Sequence, residues 1–218
     1  GGSGTNDGGA GAASVLGLSL RDGDGALLAE GGAALSDLAR IERTNQNRAL
    51  AMSLNRSRLR IAVDVKNPLL GPSGATAVYG PQKGVGVVLA RTLEVGLALW
   101  VERCRADLGV NVEQIVGAGA GGGLPVGLFA AGVVAGAEVS VESGAVLVGE
   151  AVELTSAARL ADLVITGEGR LDAQSGFGKT VGYVADVAAA SGRQCLAVCG
   201  VLEGLPPGIS DAEEAGAD

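Results

Sequence analysis

The stretch Asp162 to Thr180, DLVITGEGRLDAQSGFGKT, sets Glu168, Arg170, Asp172 and Lys179 behind a short apolar run, Leu163 to Ile165. Acids at the end of a strand suit Mg²⁺, directly or through water, or a general base. Arginine pairs bidentately with carboxylate or phosphate. A surface ion-pair cluster is the plain alternative and stabilises little. So much charge beside a buried strand favours function. The closing Gly178-Lys179-Thr180 invites a P-loop reading, but that motif needs glycine five positions before Gly178, and Ala173 stands there. The triplet is also too far from the strand end, so no Walker A motif is expected.

Three other stretches carry candidate chemistry. In GGSGTNDGGAG, Gly1 to Gly11, glycines let backbone N–H groups approach an anion, while Asn6 and Asp7 bind hydroxyls or a metal. A turn in which both satisfy their own backbone is the simpler reading of the spacing alone. In DVKNPLLGPSGATAVYGPQKG, Asp64 ends a strand, Asn67 follows, and a Gly-Pro-Gln-Lys-Gly turn leads into a helix. Ligands gather at strand ends and anions at helix starts, which makes Lys83 a candidate phosphate holder against the alternative of a solvated lysine. GAGAGG, Gly117 to Gly122, fits G-x-G-x-x-G, with Glu138 and Glu142 near the place of a ribose-binding acid. Among 38 glycines a chance match is expected, and Pro125 disturbs the helix start. A glycine loop near phosphates, or packed on a neighbouring strand, is the better expectation than a nicotinamide site.

The elements that must position these residues follow from periodicity. LRIAVDV, Leu59 to Val65, alternates as a strand. RDGDG at Arg21 reads as a hairpin tip, LSDLARIER as a short helix or turn. Pro68, Pro72 and Pro81 forbid a long regular element until after Lys83. Val85 to Asp107 reads as a long amphipathic helix with Leu89, Leu93, Leu97 and Val101 at four-residue steps. A small-residue helix follows the glycine loop, and VSVES opens a strand that gives way to helix. LVITG reads as a short buried strand, Thr180 to Ser191 as a helix, and QCLAVCGVL as another apolar strand. Strand-loop-helix-strand is the unit of a parallel α/β sheet.

Composition removes several function classes. The chain has no histidine, which excludes histidine-dependent nucleophiles and histidine-ligated metals within it. Its net charge of −8 argues against general nucleic-acid binding. Cys104, Cys195 and Cys199 have no metal-site spacing and read as free thiols in a reducing compartment. No apolar span has membrane length without glycine breaks, so a cytoplasmic protein is expected.

Taken together, GGSGTNDGGAG, DVKNPLLGPSGATAVYGPQKG, GAGAGGGL and DLVITGEGRLDAQSGFGKT resemble the bacterial-type glycerate kinase family over essentially the whole chain. The second and fourth blocks match almost residue for residue. SGFGK departs from the commoner TLxGK pattern, and GGGLP from an Ala-Gly-Gly-Leu-Gly form; the charged residues stay in place. Family members begin with APDSFKG-like and DGGEGT-like motifs and continue past EEAGAD, so the resemblance implies a fragment.

The resemblance implies an α/β fold: a flavodoxin-like (Rossmann-like) domain with a second α/β domain inserted. On that mapping residues 1–158 are mainly the inserted domain, and residues 159–218 are part of the flavodoxin-like domain. It also implies ATP- and Mg²⁺-dependent phosphorylation of D-glycerate, with no nucleic-acid or membrane partner. Carried over residue by residue, Asp64 is the expected general base, and Lys83 and Lys179 hold phosphates. Glu168 and Asp172 hold Mg²⁺, and Asp172 is also counted with the catalytic group. Asn6, Asp7, Asn67 and Arg170 bind substrate, Arg170 through the glycerate carboxylate. Gly84, Gly119, Gly121, Gly167 and Gly169 line the nucleotide. The rivals are a catalytically inactive fragment or binding remnant of that fold, and a NAD-dependent oxidoreductase using GAGAGG. Either glycerate hydroxyl remains open as the acceptor.

Overall fold

With only one tryptophan and two phenylalanines, the chain must build its core from aliphatic side chains around a single indole. The computed structural model describes residues 3–44, 48–172 and 180–203, and it divides into two compact units, Gly1–Glu142 and Ser143–Asp218. The architecture is mixed α/β, and its described strands form three two-stranded sheets.

In the first unit the order is α1 (Ala10–Val15), β1 (Leu18–Arg21), β2 (Arg40–Arg43), α2 (Arg48–Asn55) and β3 (Arg58–Val63). Then come α3 (Ala75–Tyr79), α4 (Val87–Leu108), α5 (Leu124–Ala135) and β4 (Glu138–Ser143), whose last residue opens the second unit. Trp100 of α4 is fully buried, and its Nε1 donates to the Gly8 carbonyl at 3.0 Å. Leu35, Leu97, Cys104, Val126 and Ala130 pack in the same core. The four-residue pattern of α4 holds at Leu93, Leu97 and Val101; Leu89, in the first turn, is 42% exposed. α5 is made almost wholly of small and aliphatic residues, and Val126, Ala130 and Ala131 are buried.

RDGDG forms the expected turn. Asp22 Oδ1 accepts from the N–H groups of Asp24 and Ala26, and Arg21 bridges antiparallel to Leu27. LSDLARIER is only half helical. A 3₁₀ segment, Gly32–Asp37, is followed by β2, which pairs antiparallel with β1 from Leu18↔Arg43 to Arg21↔Arg40. Ile41 is the one buried residue of β2, and its three charged neighbours hide the strand alternation. Cross-strand pairing with β1, including the Arg21–Glu42 ion pair at 2.7 Å, supplies what local propensity does not.

The second unit contains α6 (Gly144–Ala151), α7 (Leu154–Leu160), β5 (Leu163–Asp172), α8 (Thr180–Ala190) and β6 (Gln194–Glu203). β5 and β6 pair in parallel, from Leu163↔Gln194 to Asp172↔Glu203, with α8 as the crossover. That is the β-α-β unit read from the sequence. LVITG, however, is a buried strand on one side only. Val164 packs with Ala158 and Ala188, whereas Ile165 is 65% exposed. A two-stranded sheet with helices against one side leaves the other apolar row uncovered. All three cysteines are free, with Cys104 buried and the other two half-buried.

Candidate active site

In the first unit, three backbone segments are linked in series: the opening loop, the glycine loop and the segment after β3. The opening loop, residues 3–9, lies against the glycine loop 117–123: Gly8 N–H donates to the Gly122 carbonyl at 2.9 Å. A side chain at Gly122 would overlap the Thr5 carbonyl, so only glycine allows this approach. The glycine loop in turn meets the segment after β3, where Gly119 N–H donates to the Asn67 carbonyl at 2.9 Å. That segment is tied to α4 by Gly71 N–H donating to Glu94 Oε1.

Lys83 ends a 3₁₀ turn, Pro81–Lys83, and its ammonium reaches across to the opening loop. Nζ donates to the Thr5 carbonyl at 2.6 Å and to Ser3 Oγ at 3.2 Å. Burial pushes the Lys83 pKa below its ordinary value, and the nearby Asp7 charge opposes that shift. Two of the three ammonium protons are thus engaged by described residues.

Asn6 is 8% exposed, and its Nδ2 donates to Thr76 Oγ1 of α3 at 3.0 Å. Its Oδ1 is enclosed and has no hydrogen-bond partner among the described residues. Asn67 is held by the same short helix: Tyr79 donates its hydroxyl to Asn67 Oδ1 at 2.7 Å, and Asn67 Nδ2 donates to the Ser73 carbonyl at 2.8 Å. Burial pushes the Tyr79 phenol up, keeping it a proton donor here.

Asp7 does what the simpler sequence reading foresaw. Its Oδ1 and Oδ2 accept from Gly9 and Gly11 N–H at 3.1 and 3.0 Å, capping α1. Its carboxylate is therefore occupied by its own backbone, and it acts on the site through charge. Asp64 lies just past β3 and is exposed. Gly84 adopts φ 84° and borders open space beside Lys83. Gly119 is wedged against the Pro68 carbonyl, whereas Gly121 has room around it, with Ser3 Oγ 3.9 Å from where a Cβ would sit.

GAGAGG does not sit as a dinucleotide fingerprint. No described strand leads into it, and Ala120–Gly122 is a 3₁₀ turn before α5. Glu138 and Glu142 are engaged elsewhere, paired with Arg58 and Arg60 of β3 at 3.3 and 2.5 Å. Ser140 also donates to Glu142, and the Arg60 and Ser140 hydrogen bonds pull the Glu142 pKa down to about 2.

In the second unit the charged residues lie on β5 itself, which runs on through Asp172 rather than ending at LVITG. Arg170 forms an exposed ion pair with Glu203 of β6. Glu168 Oε2 is enclosed without a hydrogen-bond partner among the described residues. A Cβ at Gly167 would stand 2.8 Å from the Val198 carbonyl, while Gly169 borders open space. Asp172 faces Glu203 in register, and Lys179 lies outside the described residues.

Sequence reasoning named Asn6, Asn67 and Lys83 as candidates but not the residues that hold them. Thr76 and Tyr79 gave no signal of their own, because a five-residue helix has too few turns to show a period, and Ser3 and Thr5 lie in a loop with no period at all.

Comparison with known proteins follows this geometry. The family model described as the glycerate kinase family matches residues 1–217. A glycerate kinase of Halalkalibacterium halodurans is 40% identical over 202 residues, which is 93% of this chain and 51% of that protein. A glycerate 2-kinase of Escherichia coli K12 is 39% identical over 202 residues, 93% of this chain and 51% of that protein. A crystal structure of a protein from Salmonella typhimurium LT2 assigned as glycerate kinase 2 superposes with a TM-score of 0.72 at 37% identity, covering 92% of this chain and 51% of that one. The chain thus spans about half the length of the curated relatives it matches.

Proposed function

The chain belongs to the glycerate kinase family, and from that premise we propose that it carries phosphoryl-transfer machinery acting on D-glycerate with ATP and Mg²⁺. The observation that carries this reading is the Lys83 ammonium, held by Ser3 and Thr5 of the glycine-rich opening loop. Phosphoryl transfer asks the protein mainly for positioning and charge neutralisation. A fixed cation bordered by glycine backbone meets that demand.

Contacts support several of the residue roles in this proposal. Asp64, exposed at the end of β3, takes the proton from the attacking hydroxyl. Asn6 and Asn67 orient the acid, and Asp7 fixes α1 and lends its charge to Lys83. Gly84 and Gly121 border open space or sparse contacts and suit a passing nucleotide; Gly119 supports them by packing. On β5, Arg170 pairs with the carboxylate of the acid by exchanging its exposed partner Glu203. Gly167 and Gly169 keep the strand free of side chains beside the nucleotide, and Lys179 joins the phosphate-binding set. We place residues 159–218 in the flavodoxin-like domain and most of 1–158 in the inserted one.

Magnesium is usually held by one or two carboxylates together with substrate phosphates, not by a protein cage. That suits this chain. No group of three potential ligands assembles among the described residues, yet Glu168 offers an enclosed, unengaged carboxylate oxygen on the strand that ends in Asp172. Bound there with ATP, the metal would neutralise charge developing on the transferred group.

No described helix is long and apolar enough to cross a membrane. A reducing, cytoplasmic setting fits the three free thiols.

The test is ADP release coupled to D-glycerate and Mg²⁺, on this chain and on Lys83→Ala and Lys179→Ala. Glycerate-dependent turnover that collapses in both variants is expected. A folded chain that binds D-glycerate and ATP without turnover would leave the binding-remnant reading in its place.

A further inference from the structure

We infer that the Ser3 hydroxyl is a ligand contact in its own right, donating with the Lys83 ammonium to one oxyanion, an inference that rests on the phosphotransfer reading above. An ammonium has three donors and no acceptor, so in the 3.2 Å contact Ser3 Oγ can only accept from Lys83 Nζ. The hydroxyl proton then points elsewhere, and it donates to no described residue. A hydroxyl that accepts from a cation is polarised, which makes its own O–H a stronger donor. Two donors this close together can meet one oxygen, or two oxygens of the same phosphate or carboxylate.

The pair lies beside open space. Ser3 and Lys83 are half-buried, while Gly4 and Gly84, their chain neighbours, are exposed. A Cβ on Gly4 or Gly84 would meet nothing within 4 Å outside the adjoining residues. The place of a Cβ on Gly121 is empty too, with Leu124 Cβ 3.6 Å and Ser3 Oγ 3.9 Å from it. That is room for an oxygen within reach of the hydroxyl. The N–H groups of Gly4 and Thr5 donate to no described residue, so backbone donors flank Ser3. Asp7 is the acid whose charge Lys83 feels, and its two oxygens already accept from Gly9 and Gly11 N–H. Adjacent donors, one of them charged, select an oxyanion. A nucleotide phosphate and the carboxylate of the acid share that chemistry, and separate titrations tell them apart.

The experiment titrates the chain with MgATP and, separately, with D-glycerate. It compares wild type, Ser3→Ala, Ser3→Thr, Lys83→Ala and the double variant Ser3→Ala/Lys83→Ala. Ser3→Ala should weaken one ligand about 10-fold and leave the other within about 2-fold. A loss for ATP assigns a phosphate, and a loss for D-glycerate assigns the carboxylate. Ser3→Thr keeps the hydroxyl and should bind as wild type does. The double variant separates a ligand contact from a support for Lys83. With the contact in place, Ser3→Ala should still weaken binding about 3-fold in the Lys83→Ala background. No further loss there would overturn the inference and leave Ser3 as a prop for the ammonium. Unchanged affinities in Ser3→Ala, or an equal loss for both ligands, would also overturn it, and with Lys83→Ala weakened the phosphotransfer reading would stand. Wild type that binds neither ligand would overturn that reading, and the inference with it. Thermal melting checks the fold; if alanine loosens the loop, Ser3→Cys, similar in size with a weak donor, reads the same contact.

Discussion

The opening loop and β5 hold their charged groups differently. In the first unit the candidate polar groups are held by the protein: Asp7 by α1, Asn67 by Tyr79 and Ser73, the Lys83 ammonium by Ser3 and Thr5. On β5, Arg170 faces solvent in a pair with Glu203, and Gly169 beside it borders open space. The first region is preorganised, so its geometry costs little to maintain when a ligand arrives. The second is exchangeable. An exposed ion pair contributes roughly 0–1 kcal/mol, so Arg170 loses little by leaving Glu203 for a carboxylate. The difference teaches that one set of charges is placed by packing and the other is left available.

The largest effects should come from removing what places the first set. Trp100→Ala should destabilise the first unit by about 3–5 kcal/mol, read by denaturant unfolding. Trp100→Phe keeps most of the packing and isolates the bond to the Gly8 carbonyl, with a loss of about 1–3 kcal/mol. Should Trp100→Phe lower activity no more than it lowers the folded fraction, the indole would be core alone and the link to the opening loop would break. Lys83→Ala should reduce kcat/KM on the order of 100-fold with little change in Tm. Arg170→Ala should raise KM for D-glycerate about 10- to 100-fold while stability changes by less than about 1 kcal/mol. An Arg170→Ala variant with marked destabilisation and normal KM would make that residue structural and dissolve the contrast.

Acid sharpens the comparison at an intermediate scale. The folded-state pKa of Glu142 is pulled from 4.5 down to about 2. A depressed carboxylate contributes stability that is fully present above its unfolded value and is lost as pH falls through the folded one. The first unit should therefore lose stability between pH 4.5 and about 2, and Glu142→Gln should flatten that part of the curve. The opposite edge belongs to Cys104. Burial, with Asp107 nearby, pushes its thiol up to about 12, so it should resist alkylation until the unit unfolds. A Cys104 that reacts as fast as Cys195 and Cys199 in native buffer would show that the core around Trp100 opens locally.

The legible parts were those where one physical signal dominates. The α4 stripe and the β5-α8-β6 crossover follow from apolar periodicity alone. Asn6, Asn67 and Lys83 were legible only as candidates, because polar residues among glycines and prolines carry no periodicity that says what they contact. β2 was missed because three of its four residues are charged and only its partner strand makes it one. The acids Glu138 and Glu142 seemed placed for a ribose by counting residues; β3, some 80 residues earlier, claims them through Arg58 and Arg60. Thr76 and Tyr79 escaped for the same reason: their partners are 70 and 12 residues away. Contacts between distant segments leave no local pattern.

The smallest effect tests the second unit at the one described non-glycine residue with a left-handed backbone. Glu153 sits at φ 53° and ψ 40°, between α6 and α7, and it is exposed. The left-handed region costs a residue with a Cβ about 1–2 kcal/mol. Glycine would remove that strain but would lose about 0.4–1 kcal/mol through the freer unfolded chain. It would also lose the acid at the start of α7, worth about 0.3–1 kcal/mol at an exposed helix terminus. The terms nearly cancel, so Glu153→Gly should change stability by less than about 0.5 kcal/mol. Asparagine tolerates the same backbone and caps helices well, so Glu153→Asn should stabilise by a few tenths of a kcal/mol more than glycine, or about 0.5. Unfolding followed by a probe in the second unit decides the sign. A loss of more than about 1 kcal/mol in both variants would mean that the Glu153 side chain, not its backbone, holds the α6–α7 junction.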